Sequence, residues 1–494
     1  MNHALTRRGF LALSGAALLS GCASPDKGQG GVFRAVFAGG GAKETLDPHA
    51  QNLYVDQARH KAMFDKLFEL GDDLAPVPRL ASDFESTSDA TVWRIRLREA
   101  LFHDGATLTA DDVLFSLARV LDPAVPGRIG RASLSVLDLG RCRAVDPRTV
   151  ELVTSRPAAE LPALLAVAGT AVVRAGFDPG SPVGTGPFRF GSFTPGRELV
   201  ARRFAEHWEG APLVDELHVL SADTDARGNA VRGGQADYAH DMTPTFARAA
   251  GSVQIIETPG CTTHAIAVKT DQVAPDVIRA LKLLADRQRM VDVVLAGRGV
   301  VGNDLFGKGY RYYPDLPQRP RDVDEARSLL RKAGALNTPL ELYTSSASPG
   351  FVEAATLFAE QAGEAGLRVD VVNGPAETYF KDQLTTGALG SHRSGAMPIP
   401  EYLTQRLLSS SAFNATAWKR PDFDAAFAAA SAVVDPSTRT AQYGALQRIL
   451  HDEGGLIAWG HPNWINAVAP SVRGVVPAPP NTLNWARFDR VSFA

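Results

Sequence analysis

Thr91 to Pro123 reads TVWRIRLREALFHDGATLTADDVLFSLARVLDP. Trp93, Ile95 and Leu97 alternate with Arg94, Arg96 and Arg98, the period-two pattern of a strand with one buried face. His103-Asp104-Gly105 supplies turn residues. Thr109 can cap a helix whose third position, Asp112, completes a capping box, and Asp111 with Asp112 suits the positive end of the helix dipole. Val113, Leu114, Leu117, Val120 and Leu121 give that helix one apolar face, and Asp122-Pro123 ends it. The stretch predicts a strand, a turn and an amphipathic helix.

Further motifs lie on either side. Leu46-Asp47-Pro48 follows a core strand expected to begin at Val32, and Gly184-Thr185-Gly186-Pro187-Phe188 opens a second region of strand character. Phe204 to Leu217 reads FAEHWEGAPLVDEL, and Arg232-Gly233-Gly234-Gln235-Ala236-Asp237 sets an acid after a glycine pair. Val277 to Gly297 contains Ala285-Asp286-Arg287, and Asp324 to Gly334 reads DEARSLLRKAG. In this order the fragments resemble family 5 extracellular solute-binding proteins, the dipeptide, oligopeptide and nickel receptors of ABC importers. The resemblance covers nearly the whole mature chain.

It implies an α/β, periplasmic-binding-protein-like fold of two lobes, with an additional subdomain inserted in lobe one. Lobe one is expected from residues 32–75, 185–264 and 472–494, the inserted subdomain from 76–184, and lobe two from 265–471. The chain would cross the hinge twice. A ligand held between the lobes would stabilise the closed form by touching both. The implied function is non-enzymatic and needs no cofactor: a monomeric receptor that captures a short peptide or related small polar, carboxylate-bearing metabolite and delivers it to ABC permease subunits.

Bulk properties agree with a soluble globular chain. At 494 residues it is too long for one ordinary core, with 45% hydrophobic and 21% charged residues. The formal charge is −3 and no basic run exists, so nothing recruits nucleic acid. Residues 1–21 read as a signal peptide: Thr6-Arg7-Arg8-Gly9-Phe10-Leu11 resembles a twin-arginine export signal, and the uncharged stretch to Gly21 is too short to span a bilayer. Leu19-Ser20-Gly21-Cys22 reads as a lipoprotein processing site with Cys22 acylated, and 22–31 as the tether. The protein is therefore expected outside the cytoplasm, held at a membrane. Cys142 and Cys261 are expected as unpaired thiols.

Downstream, Leu340 to Tyr343, a helix from Pro349 to Ala365 and the alternation of Leu367, Val369 and Val371 predict a parallel strand–helix–strand crossover. Helices at about 422–434 and 438–453 precede a Pro-rich stretch at Pro470 to Pro480.

Catalytic constellations fail one by one. There is no Gly-x-Ser-x-Gly elbow, no His-Glu-x-x-His and no Walker A loop. Gly184-x-Gly186 meets Arg189 where a dinucleotide loop needs its third glycine. No close His/Cys pair has metal-ligand spacing. His103-Asp104 and His240-Asp241 read as turn and surface residues.

Ligand contacts are expected from several places. Gly390 to Pro400, GSHRSGAMPIP, falls where members of the resembled family carry a ligand-contacting loop, often with an aromatic and an aspartate that pairs with a peptide's amino terminus. This chain offers Ser391, His392, Arg393 and Met397 there, with no acid before Glu401. Arg393 can clasp a carboxylate or phosphate bidentately, or Arg393 and His392 point to solvent. Gly39 and Gly40 allow close backbone approach. Thr262, Thr263 and His264 lie at the expected lobe crossing. Tyr379, Trp459 and Trp464 either stack on ligand or fill the core. Asn414, Trp418 and Asp422 read as structural. Two alternatives stay open: a secreted enzyme carried by twin-arginine export, and a nickel or metal-chelate receptor using His392 and Met397.

Overall fold

The computed structural model describes residues 30–494 apart from 40, 51–52, 337, 376–377, 381 and 412. Gly40 and Cys22 lie outside the described residues, as do the signal peptide and most of the tether.

The opening stretch folds as its pattern dictates. Val92–Leu97 is a strand with Trp93, Ile95 and Leu97 buried and Arg94 and Arg96 outside. Ala110–Leu121 is the helix, and the Thr109 N–H donates to Asp112 Oδ2 at 2.9 Å. Val113, Leu117 and Val120 are buried. The strand sits in a four-stranded antiparallel sheet ordered Ala81–Ser86, Val92–Leu97, Thr149–Val153, Arg143–Asp146.

Two larger sheets make the lobes. The first has seven strands, in the order Gln254–Thr258, Trp464–Val468, Tyr238–Ala239, Val32–Phe37, Glu216–Ser221, Glu198–Arg203, Phe188–Thr194. Val32–Phe37 runs parallel to both its neighbours. The second sheet has six: Gly299–Val301, Leu456–Pro462, Thr263–Val268, Leu389–Ser394, Leu340–Ser345, Val369–Gly374. Its last two strands are parallel and joined by the helix Phe351–Gly363, the crossover expected from the sequence.

The chain passes from the first sheet to the second between Thr258 and Thr263, and returns at Asn463. The two passages are tied together. Asn463 Nδ2 donates to Glu257 Oε1 at 2.7 Å, and Asn463 Oδ1 accepts from the Gly260 N–H at 3.3 Å. Gly260 has φ +69°, a left-handed backbone that only glycine adopts without strain.

This corrects the expected end of lobe two at 471. Trp464–Val468 pairs antiparallel with Gln254–Thr258 and Tyr238–Ala239, so it belongs to the first sheet and the return falls at Asn463. An apolar run specifies a buried strand but not which sheet takes its hydrogen bonds.

The sequence motifs are packing devices. Asp47 accepts from both Arg119 nitrogens (2.9 and 2.6 Å) and from Arg128 (2.5 Å), which fastens the first lobe to the inserted helix. Burial pushes its carboxyl pKa up, but the two guanidinium groups outweigh that and hold it well below the usual range. A β-carbon at Gly184 or Gly186 would collide with the backbone of Met63. Asp286 caps its helix by accepting from the Arg289 N–H (3.0 Å), and buried Arg287 pairs with buried Asp304 at 2.6 Å. Cys142 and Cys261 are free thiols. No helix among the described residues is long and apolar enough to cross a membrane.

One apolar cluster joins the insert to the second lobe: Phe102, Val113, Leu117 and Leu152 share it with Phe306, Tyr402, Phe423 and Tyr443.

Candidate ligand-binding cleft

Leu389–Ser394 is an inner strand of the second sheet, hydrogen-bonded on one side to Thr263–Val268 and on the other to Leu340–Ser345. A strand with neighbours on both sides buries alternate side chains on both faces, and Ser391, His392 and Ser394 are buried. Arg393, near the strand's end, is exposed, and its Nη1 donates to Ser348 Oγ at 3.3 Å. The segment from Leu389 to Ser394 is thus a strand, not part of an open loop. The expected ligand-contacting loop is corrected to a strand over its first half, and His392 does not take the solvent-facing alternative.

The first lobe approaches the same point. Tyr54 begins the helix Tyr54–Met63, and its hydroxyl lies 3.4 Å from where a β-carbon on Gly395 would stand. Burial pushes the Tyr54 phenol up to about 12, with Arg393 opposing and Asp241 adding to the shift.

Asp241 follows the strand Tyr238–Ala239 and has φ +55°. Its carbonyl accepts from Arg227 Nη2 at 3.1 Å, and its N–H donates to Asn466 Oδ1 at 3.3 Å, so its backbone is held from two sides. Its side chain reaches solvent, yet protein surrounds it closely enough for desolvation to raise its pKa against the pull of Arg227 and Arg393. Among the described residues, neither Asp241 nor Arg393 forms an ion pair. An acid of one lobe and a guanidinium of the other therefore share one electrostatic environment with their charges unspent.

An aromatic cluster packs around Tyr54. The Tyr54 ring is 5.0 Å from Trp464 and 5.1 Å from His240, and His240 stacks on Phe37 at 4.6 Å. Burial drives the His240 pKa far down, so the ring is neutral. Its Nε2 and the indole N–H groups of Trp464 and Trp485 are buried without a hydrogen-bond partner among the described residues.

The remaining candidates take these places. His264 pairs in register with Arg393 and packs edge-on to Phe351 and Trp459, both at 5.7 Å. Burial, aided by Arg393, lowers its pKa to about 3. Thr262 is half-buried at the crossing, and buried Thr263 Oγ1 lies 3.1 Å from His461 Nδ1. Tyr379 is fully buried, its hydroxyl 2.9 Å from the Tyr343 carbonyl and 2.8 Å from that of Ser391. Trp459 is buried in the core of the second lobe. Ser391 donates to Thr344 Oγ1 at 3.0 Å, His392 Nε2 is 3.2 Å from Ser394 Oγ, and Met397 packs on the cluster shared with the insert. Gly39 is exposed, and a side chain there would run into Ser221 and Glu44 of its own lobe. Asn414 is structural, donating to the carbonyls of Leu407 and Trp418 at 3.0 and 2.7 Å.

The structure thus gathers Arg393 and His264 from the expected set and leaves Tyr379, Trp459 and Ser391 as packing. Tyr54 and Asp241 escaped sequence reading. Asp241 carried a faint signal in His240-Asp241, read there as surface; Tyr54 carried none. Among the described residues, no three His, Cys, Asp or Glu side chains gather in a way that could hold a metal ion.

A family model described as "Bacterial extracellular solute-binding proteins, family 5 Middle" matches residues 75–433. The chain is 26% identical over 483 residues to the glutathione-binding protein GsiB of Shigella flexneri, covering 92% of this chain and 93% of that one. Among solved structures, the ABC transporter substrate-binding protein CtaP of Listeria monocytogenes superposes with a TM-score of 0.84 at 19% identity, covering 94% of this chain and 99% of CtaP. The periplasmic binding protein DppA of Helicobacter pylori, in complex with the peptide STSA, superposes at 0.76 with 19% identity, covering 94% and 98%.

Proposed function

The chain belongs to the family 5 bacterial extracellular solute-binding proteins, and from that membership we propose that it captures a short peptide or related small zwitterion between its lobes for an ABC permease. The observation that carries the ligand class is the pair Asp241 and Arg393. An ammonium group suits the acid and a carboxylate suits the guanidinium, which can donate two parallel hydrogen bonds. The strand bearing Arg393 lacks an acid, so amine recognition passes to Asp241 on the opposite lobe. Tyr54, at the edge of the aromatic cluster and half-buried, offers a ring for ligand to pack on.

The lobes that close are the seven-stranded sheet with its insert and the six-stranded sheet, moving about the passages at 259–262 and Asn463. Because the charges come from different lobes, a zwitterion binds the closed form better than the open one, which is the condition for ligand-driven closure. The relatives are transport binding proteins, and the role assigned here is capture and release of unchanged ligand. Export through the twin-arginine motif, acylation at Cys22 and action as a monomer complete the reading.

The test is a thermal-shift screen of the mature chain against glutathione, short peptides, opines and metal chelates, with bound ligand recovered for mass spectrometry. A ligand at a hundred times its Kd adds about 2.7 kcal/mol of stability. A zwitterionic hit recovered intact and lost in Arg393→Ala supports the reading. A hit recovered as product would make the protein an enzyme.

A further inference from the structure

The insert and the second lobe line a pocket that is half open to solvent, about 670 Å³ when the space out to its mouth is counted, and none of its walls is formed by Tyr54, Asp241 or Arg393. One side comes from the helix Arg131–Leu134 and the turn at Pro157, the other from the helix Ile399–Arg406 with Phe427 and Tyr443. Much of the wall is carbon, contributed by Val136, Leu164, Pro400 and Phe427.

Two acids and one guanidinium, Arg156, face this space, and the two acids differ. Glu160 is saturated: it accepts from the Tyr312 hydroxyl at 2.7 Å and pairs with Arg439 at 2.6 Å and Arg311 at 3.3 Å. Glu401 has only neutral partners, Gln405 Nε2 at 2.8 Å and the Ser133 hydroxyl, and among the described residues no cation forms an ion pair with it. Burial pushes its pKa up to about 7. Lys66 acts on Glu401 only from a distance and Arg156 makes no ion pair with it among the described residues, so this carboxylate in a largely apolar wall is unfavourable until a cation reaches it.

We infer that this cavity is a second ligand site, taking a small amphipathic monoamine whose ammonium group pairs with Glu401 while its apolar body packs on Val136, Leu164 and Phe427. Its walls belong to the insert of the first lobe and to the second lobe, so an occupant stabilises the closed arrangement. By linkage it tightens binding in the cleft, and the cleft ligand tightens the amine.

The experiment is calorimetric titration of the protein at pH 8 with 2-phenylethylammonium and, in parallel, with neutral 2-phenylethanol. The ammonium compound is expected to bind saturably, with affinity reduced at least about tenfold in Glu401→Gln. Binding should also be lost in Thr404→Trp, which plugs the mouth from an exposed position, and be unchanged in Asp241→Asn. Absence of binding, equal binding of the alcohol, or binding retained in both Glu401→Gln and Thr404→Trp overturns the inference. Loss in Asp241→Asn with retention in Glu401→Gln places the amine in the cleft and overturns it as well. Of these outcomes only the last touches the cleft, and none decides whether the cleft takes a zwitterion.

Discussion

Asp241 of the first lobe lies within the electrostatic reach of Arg393 of the second, with the Tyr54 phenol close to both and no ion pair made by either among the described residues. Charges left unspent in the unliganded protein can be spent on ligand without first breaking a bond. Asp241→Asn and Arg393→Ala should each weaken a zwitterionic ligand by roughly 10- to 100-fold, the worth of about 1.5–3 kcal/mol for a hydrogen bond to a charged group. The melting temperature of the free protein should barely move. Calorimetry with differential scanning fluorimetry separates the two effects. A large loss of stability with unchanged affinity would make the pair structural.

Glu160 should set how readily the lobes close. It is the insert's contribution to a buried knot with Tyr312, Arg311 and Arg439 of the second lobe. Glu160→Gln leaves Arg439 buried without its counter-charge, at a cost of about 3–5 kcal/mol. Part of that cost falls on the closed form alone, so apparent ligand affinity should drop although no ligand contact is touched. Urea titration and small-angle scattering report the two consequences. An unchanged radius of gyration and unchanged affinity would count against a clasp.

Acid should unfold the protein partly through Glu209. Burial raises its pKa, but Arg79, Arg487 and Arg490 outweigh this and hold it at about 2. The folded pKa lies below the unfolded one, near 4.5, so the stabilisation is complete above pH 4.5 and disappears as pH falls towards 2. A shift of that size corresponds to about 3 kcal/mol. Glu209→Gln should be markedly less stable than the parent at pH 7, and the gap should narrow steadily below pH 4.5 and close only below pH 2. A gap that stays constant with pH would rule out this linkage.

Glu401 should behave in the opposite sense. Its folded pKa of about 7 lies above the ordinary glutamate value. Its destabilising contribution is absent below pH 4.5 and grows as pH rises through 7. Glu401→Gln should therefore raise the melting temperature at pH 8 and leave it unchanged at pH 4. A melting curve equally shifted at both pH values would refute the assignment.

On the proposed acylation, Cys22→Ala should release the protein from the membrane fraction of its host, because acyl chains contribute about 0.8 kcal/mol per buried methylene. Fractionation with immunoblotting decides it. Persistent membrane association would point to another anchor.

Much of the fold is legible locally. The alternation from Trp93 to Leu97, the box at Thr109 and Asp112, and the parallel crossover around Phe351–Gly363 all follow from side-chain period and capping chemistry. Gly184 and Gly186 leave no space for a β-carbon against Met63, which gives their motif a packing reason. The cleft is less legible. Ser391, His392 and Arg393 are consecutive and polar, and nothing in their spelling separates two buried residues from one exposed one. Tyr379 and Trp459 have the size to stack on ligand, but the same size fills a core.

Side-chain period and short motifs account for the strands and helices, their caps and turns, and the family to which they belong. Those properties depend on neighbours a few residues apart. The tertiary structure alone decided that Trp464–Val468 returns to the first sheet, that Arg393 emerges at the end of Leu389–Ser394, and that Asp241 comes within its electrostatic reach. Each of those outcomes joins residues far apart in the chain, through ladders and lobe contacts whose energies depend on which partner is reached. Local periodicity carries no record of the partner.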